Sequence, residues 1–361
     1  MPFRAIHCAD IHLGSKMETK LPKEKADERR AEVRRTFSSM AEYAREHEVP
    51  VILLSGDVFD SDSPFKKDKA FFYNVVKEHP EIDFLYLRGN HDNKESYTEQ
   101  DIPNLKTFGK DWTYYCYGDV VVSGIELAPE NAVSLYSVLR LNPGKKNVVM
   151  LHGQITETMG NPETAEPDTV YLPRLRGKNI DYLALGHLHS YREGKLDERG
   201  IYAYSGCLEG RGFDETGKKG FVLLEIGDAV RTEFVPFAKR TIKEERMDIS
   251  GTENAYQACQ KIRAELKTES SDLLRILLTG AIDYENDGLA QEIEGYLAPD
   301  FYFVSVKDKT MRKLNLEALS VKLSLKGEFI RTVFSSSEYS EEEKLEIISA
   351  GLRALEGQEV E

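Results

Sequence analysis

The sequence predicts an α/β protein in which a four-layer α/β/β/α sandwich is followed by a smaller C-terminal α/β domain. Three observations support this fold class. Over the first 110 residues, short apolar runs alternate with segments of helical periodicity, as in a parallel sheet with helical crossovers. After residue 112 the apolar runs are separated by glycine-marked turns, which indicates a second sheet packed on the first. Near residue 239 a new alternation of helices and strands begins.

The first sheet is predicted from three buried strands and two helices. Residues 3–9, 51–55 and 84–87 form the apolar runs. Residues 23–48 and 66–78 repeat apolar side chains at the spacing of an amphipathic helix. Parallel strands joined by helices gather ligands at their carboxyl ends, so the residues that follow each strand are the first candidates for a functional site.

The later elements divide the chain further. The second sheet is predicted from short runs at residues 120–122, 148–151, 182–185, 201–204 and 221–224. Residues 156–168 are predicted to form a surface loop, and the charged stretch at 239–251 a boundary. Beyond it we predict helices at 254–267 and 288–297, strands at 274–278 and 301–306, and a helical tail over 314–355. The predicted domains are therefore residues 1–238, 239–310 and 311–361.

Composition and charge exclude several classes of protein. Lys and Arg total 48 against 62 Asp and Glu, so the net charge is −14 and bulk charge does not hold a polyphosphate. We expect basic pairs such as Arg29-Arg30 and Lys66-Lys67 to lie mostly on solvated faces. The alternative is that some of them line a path for DNA. The four cysteines form no Cys-x-x-Cys pair, which favours a reducing compartment. Because no apolar run has the length of a signal peptide or a membrane span, we expect a cytoplasmic protein that has no membrane partner.

Metal-binding side chains follow five of the predicted strands. The fragments are Asp10-Ile11-His12, Gly56-Asp57, Gly89-Asn90-His91-Asp92, His152-Gly153 and Gly186-His187-Leu188-His189. Taken singly, each has an ordinary explanation, because an aspartate before a turn is usually a turn former and a histidine at a strand end is usually structural. Five coincidences at strand ends are much less expected than one shared site. We therefore interpret the fragments as a single two-metal centre, which suits a hydrolase.

The residue types suggest distinct roles in such a centre. Two metals roughly 3.5–4 Å apart share a bridging carboxylate, and Asp57 at a strand end suits that role. Asp10 and His12 lie two residues apart in an extended segment, so both reach one metal, and His187 and His189 have the same spacing.

The remaining candidates are Asn90, His152 and His91. Asn90 offers a neutral carbonyl oxygen and His152 an imidazole. His91 adjoins Asn90 with the opposite side-chain direction, so we expect it to face the substrate and donate a proton.

These motifs resemble, in order and in rough spacing, the five motifs of the calcineurin-like metallophosphoesterases over residues 3 to about 236. The resemblance implies two sets of metal ligands that share one carboxylate. It assigns to one metal Asp10, His12, Asp57 and His189, and to the other Asp57, Asn90, His152 and His187. It also implies that His91 stabilises or protonates the leaving group as the catalytic residue.

Two further segments resemble a branch of that family, the SbcD and YhaO-type DNA repair exonucleases. They are residues 7–14 with 56–60, and the glycine-rich residues 205–220. In that branch a small added α/β domain caps the active site, and the C-terminal region docks on an SMC-like coiled-coil ATPase of the SbcC type. The sequence departs from the eukaryotic and archaeal nucleases of the family at Asp60, where they carry a second active-site histidine.

The resemblance implies a metal-dependent phosphodiesterase, namely a DNA repair exonuclease or endonuclease in which two metals activate a hydroxide. Mn²⁺ is the expected cofactor, with Fe or Zn as alternatives, because imidazole, carboxylate and amide ligands suit all three. Alternative functions are a phosphatase, a cyclic-nucleotide or small-molecule phosphodiesterase with the same site, and a non-enzymatic scaffold. DNA and the ATPase are the expected partners, and a homodimer is a further possibility.

Overall fold

The computed structural model describes residues 2–17, 21–61, 64–92, 101–158, 160, 166, 168–284, 288–312 and 320–355. Much of the predicted loop at 156–168 and the start of the predicted helical tail at 314 lie outside the described residues. The chain divides into two compact units, Met1–Glu244 with Ser270–Leu273, and Glu245–Glu269 with Leu274–Glu361. The three-domain division at residues 238 and 310 stays a prediction.

The first sheet of the larger unit has six strands, of which four are parallel. Its order is β14-β13-β1-β2-β3-β4, and β13 and β14 join antiparallel. The first elements in chain order are β1 (Phe3–Cys8), α1 (Lys23–Glu46), β2 (Val51–Ser55), α2 (Lys66–Glu78), β3 (Asp83–Leu87) and β4 (Leu105–Thr107). Strands β1, β2 and β3 consist mainly of buried apolar residues, and each of the two helices buries one largely apolar face, so the predicted alternation of strands and helices is confirmed.

The second sheet also has six strands, in the order β11-β12-β10-β7-β6-β5. The elements from β5 to β9 are β5 (Thr113–Tyr117), β6 (Val120–Gly124), α3 (Leu135–Val138), β7 (Lys146–His152), β8 (Gln154–Thr156) and β9 (Thr169–Tyr171). They are followed by α4 (Leu172–Leu175), β10 (Tyr182–Gly186), β11 (Arg192–Lys195), β12 (Ile201–Tyr204), β13 (Gly220–Ile226) and β14 (Val230–Pro236). The run predicted at 221–224 is therefore part of β13, which pairs with β1 in the first sheet.

The two sheets pack face to face, with helices outside both. Buried residues of both sheets, among them Leu53, Leu85, Val148 and Ala184, form one core between them. On the outer face of the first sheet, the ring centroid of Phe72 in α2 lies 5.6 Å from that of Tyr86. The outer face of the second sheet packs in a further core with residues of α3 and α4. The predicted four-layer α/β/β/α sandwich is confirmed.

The smaller unit is built around a three-stranded sheet in the order β15-β16-β18. Its elements are β15 (Ile242–Asp248), α5 (Ala255–Glu265), β16 (Leu273–Thr279), β17 (Ala281–Ile282), α6 (Leu289–Leu297), β18 (Phe303–Asp308), β19 (Met311–Arg312), α7 (Leu325–Ser335) and α8 (Glu341–Leu355). Helices α5 and α6 share an apolar core with the sheet. In the tail, α7 and α8 pack through Ile330, Val333, Ile348 and Leu352. Among the described helices, none combines the length and apolar character needed to span a membrane.

The basic pairs, expected mostly on solvated faces, include an exception. Arg29 in α1 is fully buried rather than solvated, and its guanidinium donates to the carboxylates of Glu32 and Glu209. It also donates to the carbonyl oxygen of Gly210, 2.7 Å away. Glu209 lies about 180 residues further along the chain than Arg29. The helical periodicity of α1 therefore did not indicate that Arg29 would be buried against it.

Candidate metal centre

The predicted ligands come together where the carboxyl ends of strands from both sheets meet. In the first sheet Ser55 pairs with Leu87 in register, so β2 and β3 end side by side. In the second sheet Gly186 pairs with His152, so β7 and β10 end together as well. Beyond the strands, the backbone N–H of Asp10 donates to the carbonyl oxygen of Gly56 at 3.0 Å. The loops after β1 and β2 therefore run together into the site.

Asp10, His12 and His189 form one group of donor atoms. One ligand atom from each lies within 4.8 Å of the others. The Nε2 atoms of His12 and His189 are 3.2 Å apart and converge on the same space. Nε2 of His12 is also 3.7 Å from Oδ2 of Asp57.

Asp57 belongs to a second group, which shares Asp10 with the first. Ligand atoms of Asp10, Asp57 and His152 lie within 4.8 Å of one another. Nε2 of His152 is 3.4 Å from Oδ2 of Asp57 and 2.9 Å from Oδ1 of Asn90. Nδ1 of His187 is 3.3 Å from the same asparagine oxygen. The Asp57 carboxylate therefore lies between the two groups, where a bridging ligand would have to be.

The structure thus brings together all the side chains that the sequence predicted as ligands, and their role as ligands stays a prediction. His91, the predicted proton donor, has an exposed side chain at the edge of the site. Its backbone N–H donates to Oδ1 of Asp57 at 2.9 Å, and its ring centroid is 5.2 Å from that of His12.

The backbone is strained at several of these residues. Asp10, His12, Asp57 and His187 have φ angles of 51°, 51°, 53° and 107°, a region that residues other than glycine seldom adopt. Such strain persists only where the surrounding structure enforces it, and it concentrates at functional sites. Gly56 has a φ of +94°, and a Cβ there would lie 2.1 Å from Nδ1 of His152. The glycine of the Gly-Asp motif is therefore required by the close approach of the histidine.

The buried charges of the site fit divalent cations. Asp10 and Asp57 are each 1% exposed, and within the described part of the chain no lysine or arginine forms an ion pair with either carboxylate. Buried carboxylates need a compensating charge, and the surrounding imidazole and amide groups are suitable metal ligands. The two groups of donors in this cluster are therefore suited to divalent metals.

The protonation of the site reflects the same charges. Burial alone would raise the pKa of Asp57, but the neighbouring His152 and His12 and the N–H of His91 outweigh it and lower that pKa below its usual range. Burial would lower the pKa of His152, yet the carboxylates of Asp57 and Asp10 raise it. In the absence of an ion, His152 therefore holds a proton that a metal would displace.

Sequence reasoning missed the contacts that several charged residues make around the ligands. Glu215 lies beside His189, and Asp60 beside His12. Arg211 donates to both carboxylates. The concentration of charge in the glycine-rich residues 205–220 was the available signal, but it did not indicate which ligands these side chains would reach.

Asp92 was predicted only as part of its motif. Its buried carboxylate accepts the backbone N–H groups of Val58, Phe59 and Gly89 at 3.2, 3.0 and 3.1 Å. It therefore ties the loop that carries Asp57 to the loop that carries His91.

Comparison with known proteins identifies one family and several relatives that the chain resembles. The sequence model of a family described as calcineurin-like phosphoesterase matches residues 3–191. The DNA double-strand break repair protein Mre11 of Sulfurisphaera tokodaii is 26% identical, over 85% of this chain and 81% of the relative. The protein of that name from Saccharolobus solfataricus is 23% identical, over 86% and 84%. The crystal structure of TT1561 of Thermus thermophilus superposes with a TM-score of 0.43 and 11% identity, over 65% of this chain and 99% of that one.

Proposed function

The chain belongs to the calcineurin-like phosphoesterase family and is a hydrolase of phosphoester bonds, and from this premise we propose that it is a two-metal DNA repair nuclease. The observation that carries the proposal is the position of Asp57. Its Oδ2 atom is 3.7 Å from Nε2 of His12 and 3.4 Å from Nε2 of His152, one in each group of donors. A shared carboxylate between two donor sets is what a pair of adjacent metals requires.

The residues divide into two sets around that carboxylate. We propose that one ion is held by Asp10, His12, Asp57 and His189, and the other by Asp57, Asn90, His152 and His187. When bound, two such ions activate a water and polarise the phosphoryl oxygens. Mn²⁺ is the ion that we propose, with Fe and Zn as the alternatives that the same nitrogen and oxygen donors accept.

The chain's own groups orient the reaction. His91 is held through its backbone N–H to Oδ1 of Asp57, while its imidazole stays exposed. It is therefore placed to donate a proton to the leaving oxygen of a phosphodiester that lies over the site. Nδ1 of His152 is fixed by the carbonyl oxygen of Ser55, 2.9 Å away, which leaves Nε2 to face the site.

DNA is proposed as the substrate because the relatives that match most of the chain are named for DNA double-strand break repair. The smaller α/β unit is proposed to cap the site and hold DNA. The tail is proposed to dock on an SMC-like coiled-coil ATPase of the SbcC type. Side chains before and at the start of α7 are unusually exposed for apolar residues, at 79% for Val321, 99% for Leu323 and 71% for Leu325. Exposed apolar side chains in one segment are suitable for such a contact. A homodimer contact and a cytoplasmic location complete the proposal.

The test offers the purified chain with Mn²⁺ three substrates side by side: linear duplex DNA, single-stranded DNA and p-nitrophenyl phosphate esters. We expect DNA cleavage that requires metal and is lost in Asp57→Asn, with Asp119→Asn, an exposed aspartate paired with Lys145, as the matched control. Turnover of the aryl esters without cleavage of either DNA would indicate a phosphatase or small-molecule phosphodiesterase instead. Inactivity on all three substrates, despite bound metal, would favour a scaffold.

A further inference from the structure

We propose that Glu215 and Asp60, joined by Arg211, are positioning residues that hold the imidazoles of His189 and His12 with Nδ1 protonated and Nε2 facing one metal. The proposal rests on the two-metal site proposed above. It concerns residues that neither the predicted ligand sets nor the proposed proton donor include. It also gives a role to the glycine-rich residues 205–220, which contain Arg211 and Glu215.

The His189 side of this network is tightly built. Nδ1 of His189 is 2.7 Å from Oε1 of Glu215, whose side chain is 5% exposed. On the far side of the ring, Nε2 is 3.2 Å from Nε2 of His12. The carboxylate therefore lies behind the imidazole along the line from the site, where an outer carboxylate orients a metal-ligating histidine.

Arg211 fixes the protonation of this pair. Its Nη2 and Nε atoms both donate to Oε1 of Glu215, at 2.7 and 3.0 Å, and its backbone N–H donates to Oε2 at 2.7 Å. A carboxylate that accepts three such hydrogen bonds is ionised, so it can only accept from His189. The proton of the neutral imidazole is therefore on Nδ1, and the lone pair of Nε2 faces the metal position.

Asp60 supports His12 more weakly. Its Oδ1 is 3.0 Å from Nδ1 of His12, a longer contact than the 2.7 Å between Glu215 and His189. Oδ1 of Asp60 also accepts a hydrogen bond from Nη1 of Arg211 at 2.6 Å. Since the contact with the histidine is longer and Asp60 is more exposed than Glu215, with side chains 24% and 5% exposed, we expect its removal to cost less than the removal of Glu215.

The other donor group is supported differently. Nδ1 of His152 faces the carbonyl oxygen of Ser55 at 2.9 Å, which is a neutral acceptor. A carboxylate behind an imidazole raises its basicity more than a carbonyl does, so the His12–His189 position is expected to hold its metal more tightly. Loss of Glu215 should therefore weaken one of the two metal positions and spare the other.

The segment that carries Arg211 and Glu215 is itself anchored. Nζ of Lys219, a residue only 3% exposed, donates to the carbonyl oxygen of His189 at 2.6 Å. Glu209 accepts from Arg29 at 2.9 Å inside the protein. Because the support is fixed at several points, the carboxylates hold the histidines in place and do not merely follow them.

The experiment compares Glu215→Gln with the wild-type chain by calorimetric titration of the metal-free protein with Mn²⁺. The two binding steps are assigned with His189→Asn and His152→Asn. We expect Glu215→Gln to weaken the step that His189→Asn removes by roughly 10–100-fold, the usual effect of losing an outer carboxylate, and to leave the other step unchanged. Asp60→Asn should weaken the same step by a smaller factor. Asp214→Asn, which removes an exposed carboxylate beside Glu215, should change neither.

A second readout follows the imidazole directly. In ¹⁵N spectra of the metal-free protein near pH 8, we expect His189 to show the Nδ1–H tautomer, and Glu215→Gln to lose that preference. If Glu215→Gln does not fold, Asp60→Asn and the wild-type spectrum carry the test.

Three results would overturn the positioning role. Two are unchanged affinities in Glu215→Gln and an equal loss at both binding steps. The third is an Nε2–H tautomer of His189 in the wild type. In that tautomer Nδ1 of His189 would accept a hydrogen bond from Nη2 of Arg211, 3.1 Å away. A wild-type chain that binds no Mn²⁺ would instead refute the proposed two-metal function.

Discussion

Nδ1 of His152 lies 2.9 Å from the backbone carbonyl oxygen of Ser55, and this contact joins the ends of two strands from different sheets. Ser55 is the last residue of β2 and His152 the last residue of β7. A carbonyl oxygen only accepts hydrogen bonds, so Nδ1 carries the proton and Nε2 is directed into the site. The interface between the two sheets thereby sets the orientation of a predicted ligand.

The position of Asp57 between two donor groups leads to the first prediction. Replacing it with asparagine keeps the shape but removes the negative charge and one strong ligand atom, so Asp57→Asn should lower both metal content and turnover. Metal analysis of Mn-loaded protein after desalting should approach two ions per chain in the wild type and clearly fewer in the variant. Retention of both ions in Asp57→Asn would show that the carboxylate is not shared.

The exposed imidazole of His91 leads to the second prediction. Its side chain faces solvent above the buried donors, so His91→Ala should leave metal content intact and lower kcat by roughly 10²–10⁴, the scale of a positioned acid. The loss should be smaller for esters with a p-nitrophenyl leaving group, which needs little protonation. His47→Ala, an exposed histidine at the end of α1, is the matched control. Loss of metal from His91→Ala would identify His91 as a ligand.

The sequence allowed the candidate ligands to be predicted because each one lies at the end of a strand or shortly after it. Asp57 comes directly after a buried run and a glycine, and parallel strands end at one edge of a sheet, so proximity follows from topology. The same rule predicted His152 and His187 in the second sheet. The strand ends of the two sheets meet because of how the sheets pack, which strand topology alone does not determine. We inferred this meeting from the number of motifs and not from any single motif.

The outer residues could not be predicted in this way. Glu215 reaches His189 from a loop, and Arg29 reaches Glu209 across about 180 residues of sequence. Neither pair shares a strand or a helical face, so no local periodicity links its members. A charged residue in a helix or loop is expected to be solvated unless a partner in the folded chain is known. For this reason the buried position of Arg29 was not predicted.

Arg29 leads to the third prediction. Its guanidinium is fully buried between the carboxylates of Glu32 and Glu209, so Arg29→Met would leave the buried charge of Glu209 without its cationic partner, whereas Glu32 keeps its ion pair with Arg240. Breaking a buried pair by removing one member costs about 3–5 kcal/mol of unfolding free energy, which denaturant unfolding measures. Arg45→Met, which breaks an exposed pair with Glu42 in the same helix, should change stability little. Equal effects of the two substitutions would contradict the buried network.

The net charge leads to the fourth prediction. Phosphate contacts dominate DNA affinity and need positive charge, whereas this chain carries −14. We expect the isolated chain to bind linear duplex weakly and to lose it as salt rises toward roughly 150 mM, the physiological range. An SMC-like ATPase partner should restore binding at that salt concentration. A gel-shift series across salt measures both, and tight binding by the chain alone at the higher salt would show that local basic groups outweigh its net charge.

His7 leads to the last prediction, which concerns pH. Burial lowers the pKa of His7 from 6.5 to about 3, only partly offset by the backbone of Leu185, while Nδ1 contacts the hydroxyl of Tyr182 at 2.8 Å. Between those two values the unfolded chain binds a proton that the folded chain does not, so stability is lost as pH falls below 6.5. At 1.36 kcal/mol per pH unit the cost is about 2 kcal/mol at pH 5. The unfolding free energy of the metal-free protein should be measured at pH 7.5 and pH 5. We expect its change between the two pH values to be smaller in His7→Asn than in the wild type, by about 2 kcal/mol. An identical dependence in both proteins would mean that His7 is protonated within the fold.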